Sequence, residues 1–314
     1  MDSGEKYLLE KRLGQAYARQ RLGVEQDHEA QVFGQGLTFF HLENSVLSAL
    51  AIEYALKLTG LYWRGRRNAS RVQVLRNSIT VENLPNAFDG FTILQLSDLH
   101  CDMSMPAVQQ VAELLQDLTY DICVLTGDYR GATVGPFGAA LAAIGELRAK
   151  LRGPIYGVLG NHDTVRMVPN LEMMDIKVLM NECEKIERDG QHIFIAGIDD
   201  AHFYRSDNIE KAHATIPVDA FSILLSHTPE IYRQAAHAGF KLLLSGHTHG
   251  GQICLPGRIP ITLSSALPRR LGSGAWKHHA MDGYTSVGAG SSVVPVRFNC
   301  PPEITLHRLQ KFRQ

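Results

Sequence analysis

One stretch of sequence decides the fold: Lys241-Leu242-Leu243-Leu244-Ser245-Gly246-His247-Thr248-His249-Gly250-Gly251. Residues 241–244 predict a short strand, and the chain then enters two histidines that lie between glycines. Glycine permits tight turns and close approach of the backbone. Because side chains two residues apart on an extended chain point to the same side, we expect both imidazoles to face one spot.

Four earlier apolar runs are also followed directly by polar clusters. Strand 91–96 is predicted to end in Ser97-Asp98-Leu99-His100, strand 122–126 in Gly127-Asp128-Tyr129, strand 155–159 in Gly160-Asn161-His162-Asp163, and strand 221–225 in Ser226-His227-Thr228-Pro229. Ligands of α/β sheets bind at the carboxyl ends of strands, so we expect these side chains to form one rim. Mixed carboxylate and imidazole donors favour borderline divalent metals such as manganese, iron or zinc, whereas calcium favours oxygen donors alone.

These runs, with a sixth at 193–198, are apolar on both faces, which is typical of strands that are covered on both sides. Helices are predicted between them, over 107–118, 136–151 and 229–238. Alternating strands and helices predict a layered α/β fold. Residues 1–78 are predicted to form a helical extension, and residues 79–314 the domain that carries the polar clusters.

Composition and charge exclude several classes of protein. The formal net charge is −1, so we expect no global attraction to nucleic acid. The five cysteines contain no C-x-x-C pair, which argues against a disulfide framework and favours a reducing, cytoplasmic location. Met1–Gln20 is charged and has no apolar core, unlike a signal peptide. The apolar stretch Leu37–Trp63 is interrupted by Glu43, Glu53 and Lys57, so no transmembrane helix is predicted.

The five polar clusters, in this order over residues 91–252, resemble the calcineurin-like metallophosphoesterase superfamily. The motifs at 127–129, 178–182, 197–200, 246–252 and 301–304 are similar to a narrower, membrane-associated bacterial subgroup. That subgroup includes pyrophosphatases of UDP-2,3-diacylglucosamine in lipid A biosynthesis. The resemblance implies a β-sandwich flanked by helices, with four layers in the order α/β/β/α, and a hydrolase of phosphodiester or pyrophosphate bonds.

The resemblance also implies roles for individual residues. One divalent metal ion would be held by Asp98, His100, Asp128 and His249, and the second by Asp128, Asn161, His227 and His247, with Asp128 as the bridge. Manganese is the expected metal, and iron or zinc would also suit these donors. His162 and Asp163 are the expected catalytic residues: His162 would face the substrate phosphate, and Asp98 or Asp163 would orient it.

The identity of the substrate is left open by the sequence. Protein phosphatases of the superfamily carry Asp-Arg-Gly after the bridging aspartate, where this chain has Tyr129-Arg130-Gly131, which argues against that class. A lipid-linked nucleotide at the inner membrane surface is one expectation. The alternatives are a soluble phosphodiesterase of nucleotides or small diesters, with the extension as a dimerisation arm, and a metal-binding scaffold without catalysis.

Two further segments each allow two interpretations of their role. Arg64, Arg66, Arg67, Arg71 and Arg76 follow the apolar Leu61-Tyr62-Trp63. This pattern predicts either an amphipathic anchor at an anionic membrane surface or a helix packed on the catalytic domain. The cluster Asp199-Asp200-Ala201-His202 follows another predicted strand, and it would either line the substrate pocket or form a turn with exposed carboxylates.

Overall fold

The structure is a computed structural model that describes residues 3–34, 46–263 and 265–312. The helices in these ranges are α1 (Ser3–Leu13), α2 (Gln15–Gly34), α3 (Val46–Leu58), α4 (Tyr62–Ala69), α5 (Met105–Leu114), α6 (Gly138–Arg148), α7 (Val168–Met173), α8 (Ile209–His213) and α9 (Tyr232–Ala238). Of the predicted apolar stretch Leu37–Trp63, residues 37–45 lie outside the described ranges.

The strands form two large sheets and one small hairpin. They are β1 (Gln73–Val81), β2 (Thr92–Leu96), β3 (Ile122–Thr126), β4 (Ile155–Val158), β5 (Lys177–Val178), β6 (Glu182–Arg188), β7 (Gln191–Gly197), β8 (Ser222–Leu225), β9 (Leu242–Ser245), β10 (Cys254–Leu255), β11 (Ile259–Pro260), β12 (Gly274–His278), β13 (Met281–Thr285) and β14 (Glu303–Lys311). One sheet has the order β1-β14-β2-β3-β4-β5, and the other has the order β12-β13-β9-β8-β7-β6.

The two sheets pack face to face around a mainly apolar core, which also contains the buried Gln95 and His307. Ile93 and Val124 from the first sheet meet Ile195, Ile223 and Leu244 from the second. Helices cover the outer face of each sheet: α5, α6 and α7 lie on the first, and α8 and α9 on the second. The predicted four-layer α/β/β/α sandwich is therefore confirmed.

The parallel strands of both sheets bring the predicted clusters to the same edge. In the first sheet β2, β3 and β4 run parallel, and in the second β7, β8 and β9 run parallel. Each of these strands is buried over most of its length, as its apolar sequence predicts. The loops that leave their carboxyl ends therefore meet where the two sheets face each other.

The N-terminal helices pack on the sandwich. Leu9, Leu13 and Leu22 of α1 and α2 are buried in the core that covers the first sheet. Ile52 and Leu56 of α3 pack on the apolar cluster that includes Val294 and Val296. The opposite side of α3 leaves apolar side chains exposed. No helix in the described part of the chain is both long enough and apolar enough to span a bilayer.

The predicted end of the helical extension at residue 78 falls within β1. Residues 73–78, which we expected to be helical, extend in a strand because they pair in parallel with β14, starting with Gln73 opposite Glu303. The strand lies at the edge of its sheet and has a mixture of exposed and buried positions. It therefore lacks the continuous apolar run by which the buried strands were predicted. We propose that the catalytic domain begins with β1 and that the helical part ends near Ser70.

Candidate metal centre

Five of the seven predicted metal ligands have left-handed backbone conformations. The φ angles are 49° at Asp98, 40° at His100, 56° at Asp128, 70° at His247 and 49° at His249. Such conformations are rare outside glycine and cost about 1–3 kcal/mol each, so they mark sites where the surroundings fix the chain. The side chains two residues apart converge because the chain coils after the strand ends. We expected these side chains to converge because of an extended chain. They do converge, but the cause is the left-handed backbone that follows each strand.

The first cluster of donors consists of Asp98, His100 and His249, all buried. His100 Nε2 lies 3.1 Å from His249 Nε2, and His249 Nε2 lies 3.5 Å from Asp98 Oδ1. The other ring nitrogen of His100 lies 2.9 Å from the carbonyl oxygen of Arg130, which orients the ring. Asp98 also accepts hydrogen bonds from Ser97 and from the backbone N–H of His247, and so links the first cluster to the loop after β9.

The second cluster consists of Asp128, His227 and His247, with Asn161 beside them. Asn161 Oδ1 lies 3.0 Å from His227 Nε2 and 2.9 Å from His247 Nδ1. His227 Nδ1 lies 2.8 Å from the carbonyl oxygen of Thr126, the last residue of β3. The amide oxygen and two imidazole nitrogens thus converge on one small space.

Asp128 lies between the two clusters. Its Oδ2 is 3.7 Å from His100 Nε2 in the first cluster and 3.2 Å from His227 Nε2 in the second. Its Oδ1 accepts a hydrogen bond from the backbone N–H of His162. This position is the one expected for a bridging carboxylate.

The electrostatics of the site are those of a cation site. Burial lowers the pKa of His100, His247 and His249, so these imidazoles are neutral at neutral pH, the form that binds metal. Burial alone would lower the pKa of His227 as well, but the negative charge of Asp128 outweighs it and raises the pKa to about 10. Burial opposes ionisation of Asp128, yet His227 and His162 hold its pKa well below the ordinary value. Asp128 is therefore ionised, and its negative charge favours a cation beside it.

The donor set fits two divalent ions. Metal–ligand bonds of about 2.0–2.2 Å place neighbouring donors about 3.0–3.5 Å apart. The donor separations within both clusters fall close to this range. The assignment of the seven ligands stays a prediction that this geometry supports.

His162 lies beside the clusters without joining them. Its Nε2 is 3.9 Å from Asp128 Oδ2, and its Nδ1 is 3.0 Å from the hydroxyl of Thr133. Arg130 donates from Nε to the backbone carbonyl of His162 and from its Nη atoms to the carbonyls of Thr133 and Gly135. We therefore assign the orientation of His162 to Thr133 in place of Asp98, because the described contacts of Asp98 are to other groups.

Asp163 lies beneath the site and is fully buried. Its Oδ2 accepts hydrogen bonds from the backbone N–H groups of Asp128 and Gly160, both 2.8 Å, and its Oδ1 accepts one from Tyr129 at 2.9 Å. Both oxygens are thus committed to backbone donors of the loops after β3 and β4. We assign Asp163 the role of holding these loops, in place of the catalytic role that we expected.

The cluster after β7 is buried, contrary to the alternative of exposed carboxylates. Asp200 accepts hydrogen bonds from the backbone N–H groups of His202, Phe203 and Tyr204, and so folds this loop. The ring of His202 lies 4.3 Å from the ring of His247, centroid to centroid, and its Nδ1 lies 2.9 Å from Glu230 Oε2. His202 therefore borders the second cluster.

The sequence did not reveal two residues that support the site. Thr133 lies in a loop with no recognisable motif. Arg297 is fully buried behind His249, with its Nη2 3.2 Å from His249 Nδ1, and it donates to the carbonyl oxygens of Val287 and Gly290. Nothing in the sequence indicates that Arg297 is buried, because its backbone partners lie 7–10 residues earlier in the same loop and its side-chain partner His249 lies in another loop.

A groove opens at the two clusters. Asp128, His162, His247 and His249 contribute to its lining. The remaining lining is mainly apolar or uncharged and comes from Ile52, Thr248, Gly251, Gln252, Ile253, Thr262, Ser292, Val293 and Val294. Helix α3 therefore contributes Ile52 to the lining of a groove that also contains the candidate metal centre.

Comparisons with known proteins agree with this site. Residues 91–251 match the family model described as calcineurin-like phosphoesterase, and this range includes all seven predicted ligands. The chain is 31% identical over 275 residues to the uncharacterized metallophosphoesterase YkoQ of Bacillus subtilis, covering 84% of this chain and 99% of that protein.

A vertebrate protein and a solved structure are also similar. The transmembrane protein with metallophosphoesterase domain of Danio rerio is 30% identical over 277 residues, covering 82% of this chain but only 61% of that protein. The calcineurin-like phosphoesterase YfkN from Bacillus subtilis shares 14% identity, covers 64% of this chain and 82% of its own, and has a TM-score of 0.41.

Proposed function

The chain belongs to the calcineurin-like phosphoesterase family and is a hydrolase that uses divalent metal ions, and on this basis we propose that it cleaves a phosphodiester or pyrophosphate bond at the centre built around Asp128. The observation that carries the proposal is the position of Asp128 between two donor clusters, within 3.7 Å of His100 and 3.2 Å of His227. Two ions that share a carboxylate form a clamp for a phosphoryl group.

We assign Asp98, His100, Asp128 and His249 to one ion, and Asp128, Asn161, His227 and His247 to the other. Manganese suits this mixture of oxygen and nitrogen donors, and iron or zinc would also suit it. When bound, the ions would polarise phosphoryl oxygens and lower the pKa of a coordinated water. The protein supplies the remaining parts: rigid loops that hold the donors and a groove that limits access of solvent.

His162 is the proposed catalytic imidazole. It lines the groove beside Asp128, and burial lowers its pKa, so that it is neutral at neutral pH. Thr133 Oγ1 holds Nδ1, which directs Nε2 toward the space between the clusters. From there a hydrogen bond from Nε2 would stabilise the charge that develops on a phosphoryl or leaving-group oxygen.

The groove supports a substrate with an apolar part. Ile52, Ile253, Val293 and Val294 line it directly beside the site residues. A nucleotide or small diester would leave these side chains in contact with water, whereas an acyl or alkyl chain would bury them. We therefore propose a lipid-linked substrate and take UDP-2,3-diacylglucosamine, of lipid A biosynthesis, as the first candidate.

The outer surface of α3 and α4 supports a position on an anionic membrane. Tyr54, Leu58 and Trp63 are exposed by 68%, 81% and 72%. The exposed Arg64, Arg66 and Arg67 follow directly. Exposed apolar side chains beside arginines favour the boundary between headgroups and acyl chains, and the groove would then open near its substrate. The protein would act as a peripheral enzyme at the inner face of the membrane.

Hydrolysis of two substrates tests the activity and the substrate separately. Wild type and Asn161→Ala are assayed with manganese on bis-p-nitrophenyl phosphate and on UDP-2,3-diacylglucosamine. We expect wild type to cleave both and Asn161→Ala to cleave neither. Cleavage of the small diester alone would contradict the lipid proposal, and failure on both substrates would contradict the proposed activity.

A matched pair of α3 variants tests the role of the groove. Ile52→Asp places a charge in the groove, and Ala55→Asp places the same charge on the exposed side of the helix. We expect Ile52→Asp to raise KM for the lipid substrate at least about tenfold, because a buried charge opposes an apolar chain. Its kcat/KM for the small diester should match that of Ala55→Asp. Equal KM values for the lipid in both variants would refute the assignment of the groove.

Flotation on vesicles with anionic lipid tests the membrane surface. The double variant Leu58→Glu, Trp63→Glu should lose binding, while Val218→Glu, which alters another highly exposed apolar residue, should keep it. Wild type that stays in the aqueous fraction would contradict the proposed location.

A further inference from the structure

A buried ionic network joins α2 to the edge of the sheets that carries the metal centre. Arg21 is fully buried, and it donates from Nε to Asp199 Oδ2 at 2.8 Å and from Nη1 to Glu25 Oε1 at 2.7 Å. Its guanidinium lies 3.7 Å from the centre of the Tyr204 ring, and the hydroxyl of Tyr17 donates to the same oxygen of Asp199. One turn of α2 thus contacts the loop after β7.

Glu25 connects this network to the loop after β4. Its Oε2 accepts a hydrogen bond of 2.6 Å from the hydroxyl of Thr164, and its Oε1 accepts one of 2.7 Å from the backbone N–H of Val165. Thr164 follows Asn161-His162-Asp163 directly. The predicted ligand Asn161 and the proposed catalytic His162 are therefore held from two sides, by Asp163 beneath the loop and by Glu25 from α2.

Asp199 connects Arg21 to the loop beside the second cluster. Asp199 Oδ1 accepts the backbone N–H of Asp200, and Asp200 in turn folds the loop that presents His202. The ring of His202 packs at 4.3 Å on that of His247. Arg21 therefore contacts the loop after β7, and Glu25 contacts the loop after β4. Both loops carry residues that lie at or beside the donor clusters.

Stability alone does not explain so many buried charges. The desolvation of a buried ion pair often offsets the attraction between its members, and apolar side chains of similar size stabilise as well or better. Helices α1 and α2 already contribute Leu9, Leu13 and Leu22 to the core. Hydrogen bonds are directional and apolar contacts are not. The hydrogen bonds from α2 therefore fix the position of each of the two loops.

We propose that Glu25 and Arg21 of α2 are positioning residues of the active site, which hold Asn161, His162 and His202 in place through the loops after β4 and β7. This inference rests on the proposed function, since the groups that it positions are those of the metal centre. Helix α2 then contributes to the activity of the phosphoesterase and is not a separate extension.

Three variants of the full chain test the proposal. Glu25→Ala removes both contacts to the loop, and Glu25→Gln keeps a side chain that can accept from Val165 and contact Thr164. Arg12→Ala is the matched control, because Arg12 also joins the N-terminal helices to the sandwich, through Glu172, Glu182 and the carbonyl of Val178. None of these partners is a predicted site residue.

The first readout is turnover of bis-p-nitrophenyl phosphate at saturating manganese, with Tm measured alongside. We expect Glu25→Ala to lower kcat about 10–100-fold, with KM within about twofold, as for other residues that orient metal ligands. Glu25→Gln should restore kcat to within about threefold of wild type. Arg12→Ala should also lower Tm and leave kcat unchanged. Wild-type kcat in Glu25→Ala, or an equal loss in Arg12→Ala, would overturn the proposal.

The second readout does not depend on turnover. Titration with Co²⁺, followed by visible absorption, reports the affinity of the centre for metal alone. Glu25→Ala should weaken the weaker of the two sites about tenfold or more, because Asn161 would be less well placed, and Arg12→Ala should match wild type. If wild type hydrolyses neither bis-p-nitrophenyl phosphate nor UDP-2,3-diacylglucosamine, the proposed function fails, and this titration still decides the role of Glu25: unchanged Co²⁺ affinity in Glu25→Ala would refute it.

Discussion

Replacing Asp163 should destabilise the protein more than any ordinary loss of a charged side chain. Asp163 accepts three short hydrogen bonds from the backbone N–H groups of Asp128, Tyr129 and Gly160. In Asp163→Ala these buried donors lose their acceptor, and each unsatisfied donor costs about 1–3 kcal/mol. We therefore expect a loss of about 3–9 kcal/mol in the free energy of unfolding. That is comparable with the 5–15 kcal/mol that stabilises a typical domain.

The isosteric variant gives a graded outcome. Asp163→Asn can keep one oxygen at the Oδ2 position, which serves Asp128 and Gly160, while its amide group then faces the N–H of Tyr129. The N–H of Tyr129 is left unsatisfied, and the longer hydrogen bond of 3.4 Å from the N–H of Arg130 is also lost, so the expected loss is at least about 1–3 kcal/mol. Because the same loops carry Asp128 and Asn161, affinity for manganese should also fall, by about 10–100-fold.

Urea unfolding, followed by circular dichroism with and without manganese, measures these losses. The control is Asp175→Asn, which removes the same charge from an exposed carboxylate that pairs with Arg148, and which should cost about 0–1 kcal/mol. If Asp163→Ala unfolds within about 1 kcal/mol of wild type, Asp163 does not hold these loops and its assigned role is wrong. Loss of activity without loss of stability in Asp163→Asn would instead favour the catalytic role.

Three further predictions concern orientation of the catalytic imidazole, metal binding and pH. Thr133→Val removes the hydroxyl that lies 3.0 Å from His162 Nδ1, so kcat for bis-p-nitrophenyl phosphate should fall about tenfold with metal content unchanged; wild-type kcat would contradict the role of Thr133. Removal of divalent ions with a chelator should lower the free energy of unfolding by about 2.7 kcal/mol for each bound ion, relative to protein at 100 times the Kd for metal, and an unchanged midpoint would argue against ions bound to the native state. Burial lowers the pKa of His307 to about 3, well below the unfolded value of 6.5, so its contribution to stability is complete above about pH 6.5 and is lost as the pH falls toward 3. Wild type should therefore lose about 2 kcal/mol more than His307→Gln between pH 7 and pH 5 in urea unfolding, and equal losses would refute the shifted pKa.

The sequence predicted six of the buried strands because they carry their own signal, but it missed β13 and β14, which are also mostly buried. Strands β2, β3, β8 and β9 are apolar on both faces, and each was placed within one residue of its observed ends. The edge strands β1 and β6 were missed because half of their positions face solvent and resemble a loop or an amphipathic helix. Their place in the fold depends on pairing with distant segments, such as β1 with β14, and no local pattern records this.

The candidate ligands were predictable for a similar reason. Each of the seven follows a strand directly, and parallel strands deliver their carboxyl ends to one edge. The residues that hold the ligands in place were not predictable, because they contact groups far away in sequence. Glu25 contacts a residue 140 positions later, and Arg297 lies 48 positions from His249.

Metal stoichiometry tests the central claim most directly. The chain is freed of metal, titrated with Mn²⁺ by calorimetry, and compared with Asn161→Ala and Asp128→Asn. If Asp128 bridges two sites, wild type binds two ions per chain, Asn161→Ala keeps one tight site, and Asp128→Asn loses tight binding at both. A single ion in wild type, or two tightly bound ions in Asp128→Asn, would contradict the two-metal centre.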